Sequence, residues 1–428
     1  MTDEEIRRLG PAFAAYLRRY RPCFLQDRTA DHFDDYSRAL LSDLERKSVE
    51  PIALARGTAA RTLQAFLAVA RWDHDAVRDT LQRHVASLLP DLPGDRLGTV
   101  GIIDETSCRK SGTQTPGVQR QYLGCVGKVD NGIVTVHVGV ARGRFQALLD
   151  GELYLPRSWD KDRDRCERAG IPADVRYLAK WRIALDQVVR LHGNGLEFDW
   201  LVFDEGYGSK VPFLRGLCLV NQRFVGEVPV SFSVRLQEGG PARRADAVLT
   251  AQDAAAGARW RQRRESVADA WWRASEVEVV VGGRRLRLVV AINEATAEVK
   301  YFVSNALDVP LSRVLAVAFR RATIEHGFRL AKQESGLMHY EGRQYTGLIR
   351  HLVLALVVMG FVSIHADRLR GGKPGGDPGA GVPGVEPEVC GPAAPATRHD
   401  GRRARRHDDP LPPTSKRTGP RLTPQAAA

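Results

Sequence analysis

The chain has 428 residues, with 63 Lys and Arg against 51 Asp and Glu, for a formal charge of +12. At 43% hydrophobic and 27% charged residues it reads as globular rather than disordered or fibrous, long enough for two or three domains of ~100–200 residues each. The positive balance points to a polyanionic partner, with nucleic acid favoured.

Cysteines at positions 23, 108, 125, 166, 218 and 390 form no CxxC pair and have no nearby His at zinc spacing. They read as free thiols in a reducing compartment, not as a metal framework. The N-terminus, MTDEEIRRLG, lacks the apolar core of a signal peptide. The longest apolar run, LVLALVVMGFVSI at 352–364, is short for a bilayer span and reads as a buried helix. A cytoplasmic protein is expected.

Residues 1–92 read as a helical domain. Thr2 to Glu5 makes a capping-box pattern. In WDHDAVRDTLQRHVASLLP, Asp73 is the expected N-cap, Val77, Leu81, Val85 and Leu88 share one face, and Pro90 is the stop. Residues 93–228 change period. The runs TVGIID, QYLGCVGKVD and GIVTVHVGVA predict three strands with an NG turn at Asn131 and Gly132. A polar loop, YLPRSWDKDRDR, leads to a helix around YLAKWRIALDQVVRLHG, ending on Gly193, and to a fourth strand, FDWLVFDE. This alternation describes a mixed α/β sheet covered by helices.

Residues 229–299 read as a β-rich insertion, with a GG-turn hairpin, VEVVVGGRRLRLVVAIN, preceded by the Arg- and Trp-rich ARWRQRRESVADAWWR. Residues 300–366 return to strand and helix: YFVSN, a long helix from Leu311 to Gln333, and the apolar helix at 348–366. The Gly-, Pro- and Arg-rich tail, 367–428, has no hydrophobic period and is expected to be disordered.

Two strands end on acids. GIIDETSCRK delivers Asp104 and Glu105, and LVFDEGYGS delivers Asp204 and Glu205. Sites in α/β sheets gather at the carboxyl ends of strands, so Asp104 and Asp204 meet if their strands are neighbours. Paired there, they would repel unless a cation lay between them, and a hard ion such as Mg²⁺ suits carboxylate and water ligands. Glu105 and Glu205 are expected to point to the other face or into the turn. Arg109 and Lys110 lie close enough to meet a phosphate. A third acid is sought in RRATIEHGFRLAKQESGLMHY, 320–340, where a helix would put Arg321, Glu325 and Lys332 on one stripe. An ordinary amphipathic helix with i,i+4 ion pairs accounts for the same spacing.

The order Asp104, Asp204, Glu325 resembles the DDE transposases of bacterial insertion sequences. Arg321, Glu325 and Lys332 resemble the Y-R-E-K signature of one branch, whose tyrosine would fall at Ala318, where no hydroxyl is available. GVQRQYLGCVGKVDNG, ELYLPRSWDKDRDRCERAGIP and HLVLALVVMGF are also similar to that branch, and the resemblance covers roughly residues 15 to 366. It implies an α/β, ribonuclease-H-like catalytic domain interrupted by a mostly β insertion, behind an N-terminal helical DNA-binding domain.

The implied cofactor is Mg²⁺ or Mn²⁺, as two ions ~3.5–4 Å apart, with Asp104 bridging them and Asp204 and Glu325 each holding one. Arg321 and Lys332 would orient a phosphate. The implied activity is binding of terminal inverted repeats, metal-dependent hydrolysis of the DNA ends, and joining of the 3′-hydroxyls to double-stranded target DNA. It would be carried out at the nucleoid by a homodimer in a synaptic complex. Among Trp260, Trp271 and Trp272, Trp260 is taken as the DNA-contacting ring, by stacking on a flipped base. Two other classes fit the same residues: an inactive or domesticated DNA-binding protein, and another metal-dependent nuclease of the same fold.

Overall fold

Hydrophobic spacing near 3.6 residues produces the helices α1 (Asp3–Leu17), α2 (Asp27–Leu41), α3 (Val49–Ala55), α4 (Ala60–Ala68) and α5 (His74–Leu88) at the start of the chain. Asp73 caps α5, accepting from the Asp75 and Ala76 amides at 2.8 and 3.2 Å. Val77, Leu81 and Val85 are buried, and Pro90 lies in the 3₁₀ turn Leu89–Asp91 that ends the helix. The computed structural model describes residues 3–262, 269–322, 327–328 and 335–371. The Thr2 to Glu5 capping box and the 372–428 part of the tail therefore lie outside the described residues. Contacts divide the chain into Met1–Glu388 and Val389–Ala428, and all described residues belong to the first unit.

The first strands differ from expectation in two ways. β1 (Thr99–Arg109), β2 (Gln119–Leu123) and β3 (Lys128–Arg142) form, but Asn131 and Gly132 lie inside β3 and the turn falls between Leu123 and Lys128. Asn131 instead donates from its side chain to the Lys110 and Gly112 carbonyls, at 2.5 and 2.9 Å, tying β3 to the segment after β1. β4 (Phe145–Leu153) was not anticipated; it pairs antiparallel with β3. The expected polar loop holds two short helices, Arg157–Asp160 and Arg163–Arg168, anchored by the fully buried Trp159. The helix ending on Gly193 is α6 (Lys180–Gly193). After it come β5 (Trp200–Phe203), α7 (Val211–Leu219) and β6 (Phe224–Val228).

A short β7 (Ser233–Val234) and β8 (Arg243–Arg244) pair apart from the main sheet. β9 (Ala258–Gln262), β10 (Ala270–Val281), β11 (Arg284–Asn293) and β12 (Val299–Ser304) continue the main sheet beyond β6. The β10–β11 turn uses Gly282 and Gly283, both at positive φ, as a two-residue hairpin requires. The main sheet runs β2-β3-β1-β5-β6-β12-β11-β10-β9, with β4 also on β3. Among the described residues, only β1–β5 and β5–β6 are parallel pairs.

α8 (Leu311–Ala318) passes into a 3₁₀ turn at Phe319–Arg321, so the helix expected from Leu311 to Gln333 changes character just before Arg321. The last helix is α9 (Tyr345–Gly371). Its stretch Tyr345–Ala366 is long and apolar enough to cross a bilayer, yet 89% of its most apolar window is buried inside the protein. It packs on β4, α2, α4 and α5.

Candidate active site

β1 and β5 lie parallel and adjacent, pairing Ile102 with Val202. Asp104 and Asp204 each stand two residues further on: Asp204 directly follows β5, whereas β1, expected to end on Asp104, continues to Arg109 because it stays paired with β3, so Asp104 lies where the parallel pairing with β5 stops. Asp204 caps the one-turn helix Glu205–Gly208, accepting from the Tyr207 amide at 3.3 Å. Asp104 Oδ1 accepts from the Glu105 amide at 2.7 Å, and Oδ2 from Arg321 Nη1 at 2.9 Å. The Asp104 side chain is only 13% exposed.

Burial pushes the Asp104 carboxyl up to about 6 from its ordinary 3.8; Arg321 and the Glu105 amide pull it down, while the Asp204 and Glu105 charges add to the rise. A raised folded value means that Asp104's contribution to stability is fully present below 3.8 and is lost as pH rises through about 6. The metal-free protein should therefore lose at most about 3 kcal/mol between pH 4 and 7 relative to Asp104→Asn. Melting curves of both proteins in chelator across that range check this, and parallel curves would contradict it.

Two neighbouring carboxylates, as oxygen donors, fit a hard divalent cation better than a soft one. Among the described residues, no group of three or more His, Cys, Asp or Glu is placed to hold an ion. Glu325, the expected third acid, and Lys332 lie outside the described residues. The described residues on either side of Glu325 do reach the site. Arg321 bonds Asp104, and Phe328 packs edge-on against His137, 5.1 Å between ring centres; His137 is the β3 residue opposite Asp104.

The other expected contacts are engaged within the protein. Arg109, 69% exposed, pairs with Asp130 at 3.1 Å. Lys110 donates to the Met338 and Tyr340 carbonyls at 3.3 and 2.6 Å, fastening the segment before α9 to the end of β1. Trp260 is buried and stacks on Phe319, 5.3 Å between centres and 17° between planes; Trp272 packs on the same ring at 4.7 Å. These tryptophans thus wedge Phe319, two residues before Arg321, against the sheet. Trp271, on the opposite face, is the exposed one, with the Arg259 guanidinium 4.0 Å above its ring.

Glu105, expected to turn away, pairs with Lys180 at 2.7 Å and with Asp204 lines a cleft of about 330 Å³. Lys180, Lys210 and Tyr207 line it too, and none of them was singled out by sequence. Tyr207 had a signal in the GYG that follows Asp204 and Glu205. Lys180 had none, because it opens a helix 75 residues beyond its partner Glu105.

Asp104 and Asp204 thus stand on adjacent parallel strands of a mixed α/β sheet, with Arg321 on Asp104, an arrangement consistent with a nuclease fold. The chain belongs to the family described as DDE superfamily endonuclease, which residues 19–269 match, more than half of its length. A protein of Microchaete diplosiphon, named as the probable transposase for insertion sequence element IS701, is 33% identical over 196 residues. That match spans 45% of this chain and 47% of the relative, so the chain covers about half the length of this curated relative. The NurA nuclease from Sulfolobus solfataricus aligns over 58% of this chain and 93% of its own at 9% identity, with a TM-score of 0.26, too slight a likeness to bear on the fold.

Proposed function

We propose that the chain is a transposase that binds the terminal inverted repeats of an insertion sequence, hydrolyses the DNA ends and joins the 3′-hydroxyls to target DNA. The observation that carries the reading is the pairing of β1 with β5, which sets Asp104 beside Asp204 while Arg321 bonds Asp104. The order β4-β3-β1-β5-β6, with only β3 running against the others, supports a ribonuclease-H-like core made of residues 93–228 and 300–366. In this reading residues 1–92 form a DNA-binding domain, and residues 229–299 are the insertion, whose strands prolong the sheet.

DDE superfamily nucleases generally use divalent ions. Asp104, Asp204 and Glu325 would hold Mg²⁺ or Mn²⁺, as two ions. When bound, such a pair activates a water oxygen and stabilises the leaving oxygen of an in-line displacement. Arg321 neutralises Asp104 in the free protein, and its planar fork suits the oxygens of an incoming phosphate. In the same reading Lys332 would supply a second cation to that phosphate. Cutting two element ends together calls for a homodimer in the synaptic complex.

The test is incubation of the purified chain with duplex DNA carrying its element's terminal repeats, a supercoiled target plasmid, and Mg²⁺ or Mn²⁺. Nicks that leave 3′-hydroxyls, followed by joined products, are expected. Specific binding with no nick in either metal would favour a DNA-binding protein without catalysis.

A further inference from the structure

The short helices α3 and α4 are joined by a tight turn at residues 56–59. Gly57 stands there at φ +64°, and α3 closes with the Thr58 amide on the Ala53 carbonyl at 3.0 Å and the Gly57 amide on the Leu54 carbonyl at 3.2 Å. This paired closure needs a left-handed residue, a backbone that glycine adopts without strain. Two helices joined through so short a turn at a glycine have the plan of a helix-turn-helix. Ile52 and Ala53 of the first helix and Leu63, Phe66 and Leu67 of the second are buried, so each is seated on the protein by one side.

The other side of α4 faces solvent. Arg61, Gln64 and Ala65 are exposed and, with Ala68, follow the i, i+3, i+4, i+7 spacing of a single helix face. Between Glu50 and Asp73 the chain has no acid, yet it carries Arg56, Arg61 and Arg71. Arg56 pairs with Asp35, whereas Arg61 and Arg71 have no acidic partner among the described residues. The segment is therefore positive and suits a polyanion. Its side chains also suit base edges: a guanidinium matches the two acceptors of guanine, a carboxamide matches the acceptor and donor of adenine, and small alanines let the helix lie close.

The last turn of α4 is held from behind. Arg350, buried on α9, donates to the Phe66 and Leu67 carbonyls at 3.4 and 3.0 Å and to the Trp72 carbonyl at 2.5 Å, and Trp72 Nε1 donates to the Phe66 carbonyl at 2.9 Å. Carbonyls in a last turn lack partners within their own helix, so Arg350 satisfies them and ties α4 to the helix that packs on β4. A helix fixed in this way presents its exposed side chains at one geometry.

We propose that α3 and α4 form a helix-turn-helix in which α4 enters the major groove of the terminal repeat and reads base edges through Arg61 and Gln64. The inference rests on the reading of residues 1–92 as the repeat-binding domain and names the element that makes the sequence choice.

The full chain in chelator is titrated with a fluorescent duplex of its element's terminal repeat and with one of the same composition in scrambled order. The parent should prefer the repeat. Arg61→Ala and Gln64→Ala should each weaken the repeat ~10–100-fold and leave the scrambled duplex within ~3-fold. Both positions are exposed, so melting temperatures should hold, and Gln64→Ala should keep the parent's dependence of affinity on salt because it removes no charge. Across repeat duplexes changed at one base pair each, Gln64→Ala should become indifferent at an A·T position and Arg61→Ala at a G·C position. A parent that prefers the repeat beside variants that keep that preference would overturn the assignment of α4 while leaving repeat binding standing; a face used for a protein partner would give that result. Equal loss on both duplexes would overturn it too, as the mark of a charged patch that reads no bases. A parent without preference would remove the repeat-binding reading and this inference together.

Discussion

Asp104→Asn should lower metal-dependent cleavage of element-end DNA by at least roughly 10²–10³-fold, the cost of removing one charge-stabilising group from a catalytic site, while DNA affinity stays as it was. Asn keeps the shape of the side chain and an oxygen that can accept the Glu105 amide, 2.7 Å away in the parent. What it removes is the negative charge answered by Arg321 at 2.9 Å and opposed by Asp204. Since burial already disfavours that charge in the metal-free protein, the variant should melt no lower than the parent at neutral pH. A loss of cutting would then be chemical rather than structural. Single-turnover cleavage on pre-bound DNA, read beside an affinity titration, separates the two; a cleavage rate within ~10-fold of the parent would remove Asp104 from the mechanism.

The largest effect on stability is expected at Asp150, far from any cutting role. Its carboxylate is fully buried on β4, where it takes Arg190 Nε at 2.9 Å and Nη2 at 3.1 Å, Gln82 Nε2 at 2.9 Å and the Gly151 amide at 2.8 Å. Arg190 comes from α6 and also reaches Glu152; Gln82 comes from α5 and accepts from Asn194 at 2.7 Å. One buried charge therefore binds the N-terminal helices, the sheet and α6 together. Asp150→Ala would leave the Arg190 guanidinium, only 23% exposed, with Glu152 as its remaining carboxylate, and would take one acceptor from Gln82. Breaking a buried pair from one side costs ~3–5 kcal/mol. Urea unfolding should show a drop of that order for Asp150→Ala, and a smaller cost for Asp150→Ala with Arg190→Ala than the sum of the single changes. A drop below ~1 kcal/mol would show that the network carries little weight.

The parts of the site that were legible were those with a local cause. Asp104 and Asp204 stood out because each follows an apolar run, and a carboxylate there needs a reason beyond packing. Their neighbourhood was conditional, since the pairing of β1 with β5 is a contact across about 100 residues that no local pattern encodes. β4 was missed because Asp150 and Gly151 interrupt its apolar run, and only the partners of Asp150 make that charge tolerable in a strand. The NG dipeptide misled for a related reason: Asn131 is held in β3 by carbonyls of the segment after β1, so a tertiary contact overrode a turn propensity. Trp260, read as a base-stacking candidate among arginines, is spent on Phe319, and its pairing partner Trp272 shares that role. Composition cannot separate an exposed tryptophan from a buried one in a strand. The alternation of faces does, and it leaves Trp271 outside.

The central claim is that Asp104, Asp204 and Glu325 hold divalent cation together at one place on DNA. Its most direct test is electron paramagnetic resonance of Mn²⁺ added to the complex of the full chain with element-end duplex, for the parent and for Asp104→Asn, Asp204→Asn and Glu325→Gln. Bound Mn²⁺ should fall in every one of the three variants while the DNA stays bound. Equal Mn²⁺ in all four complexes would contradict the account.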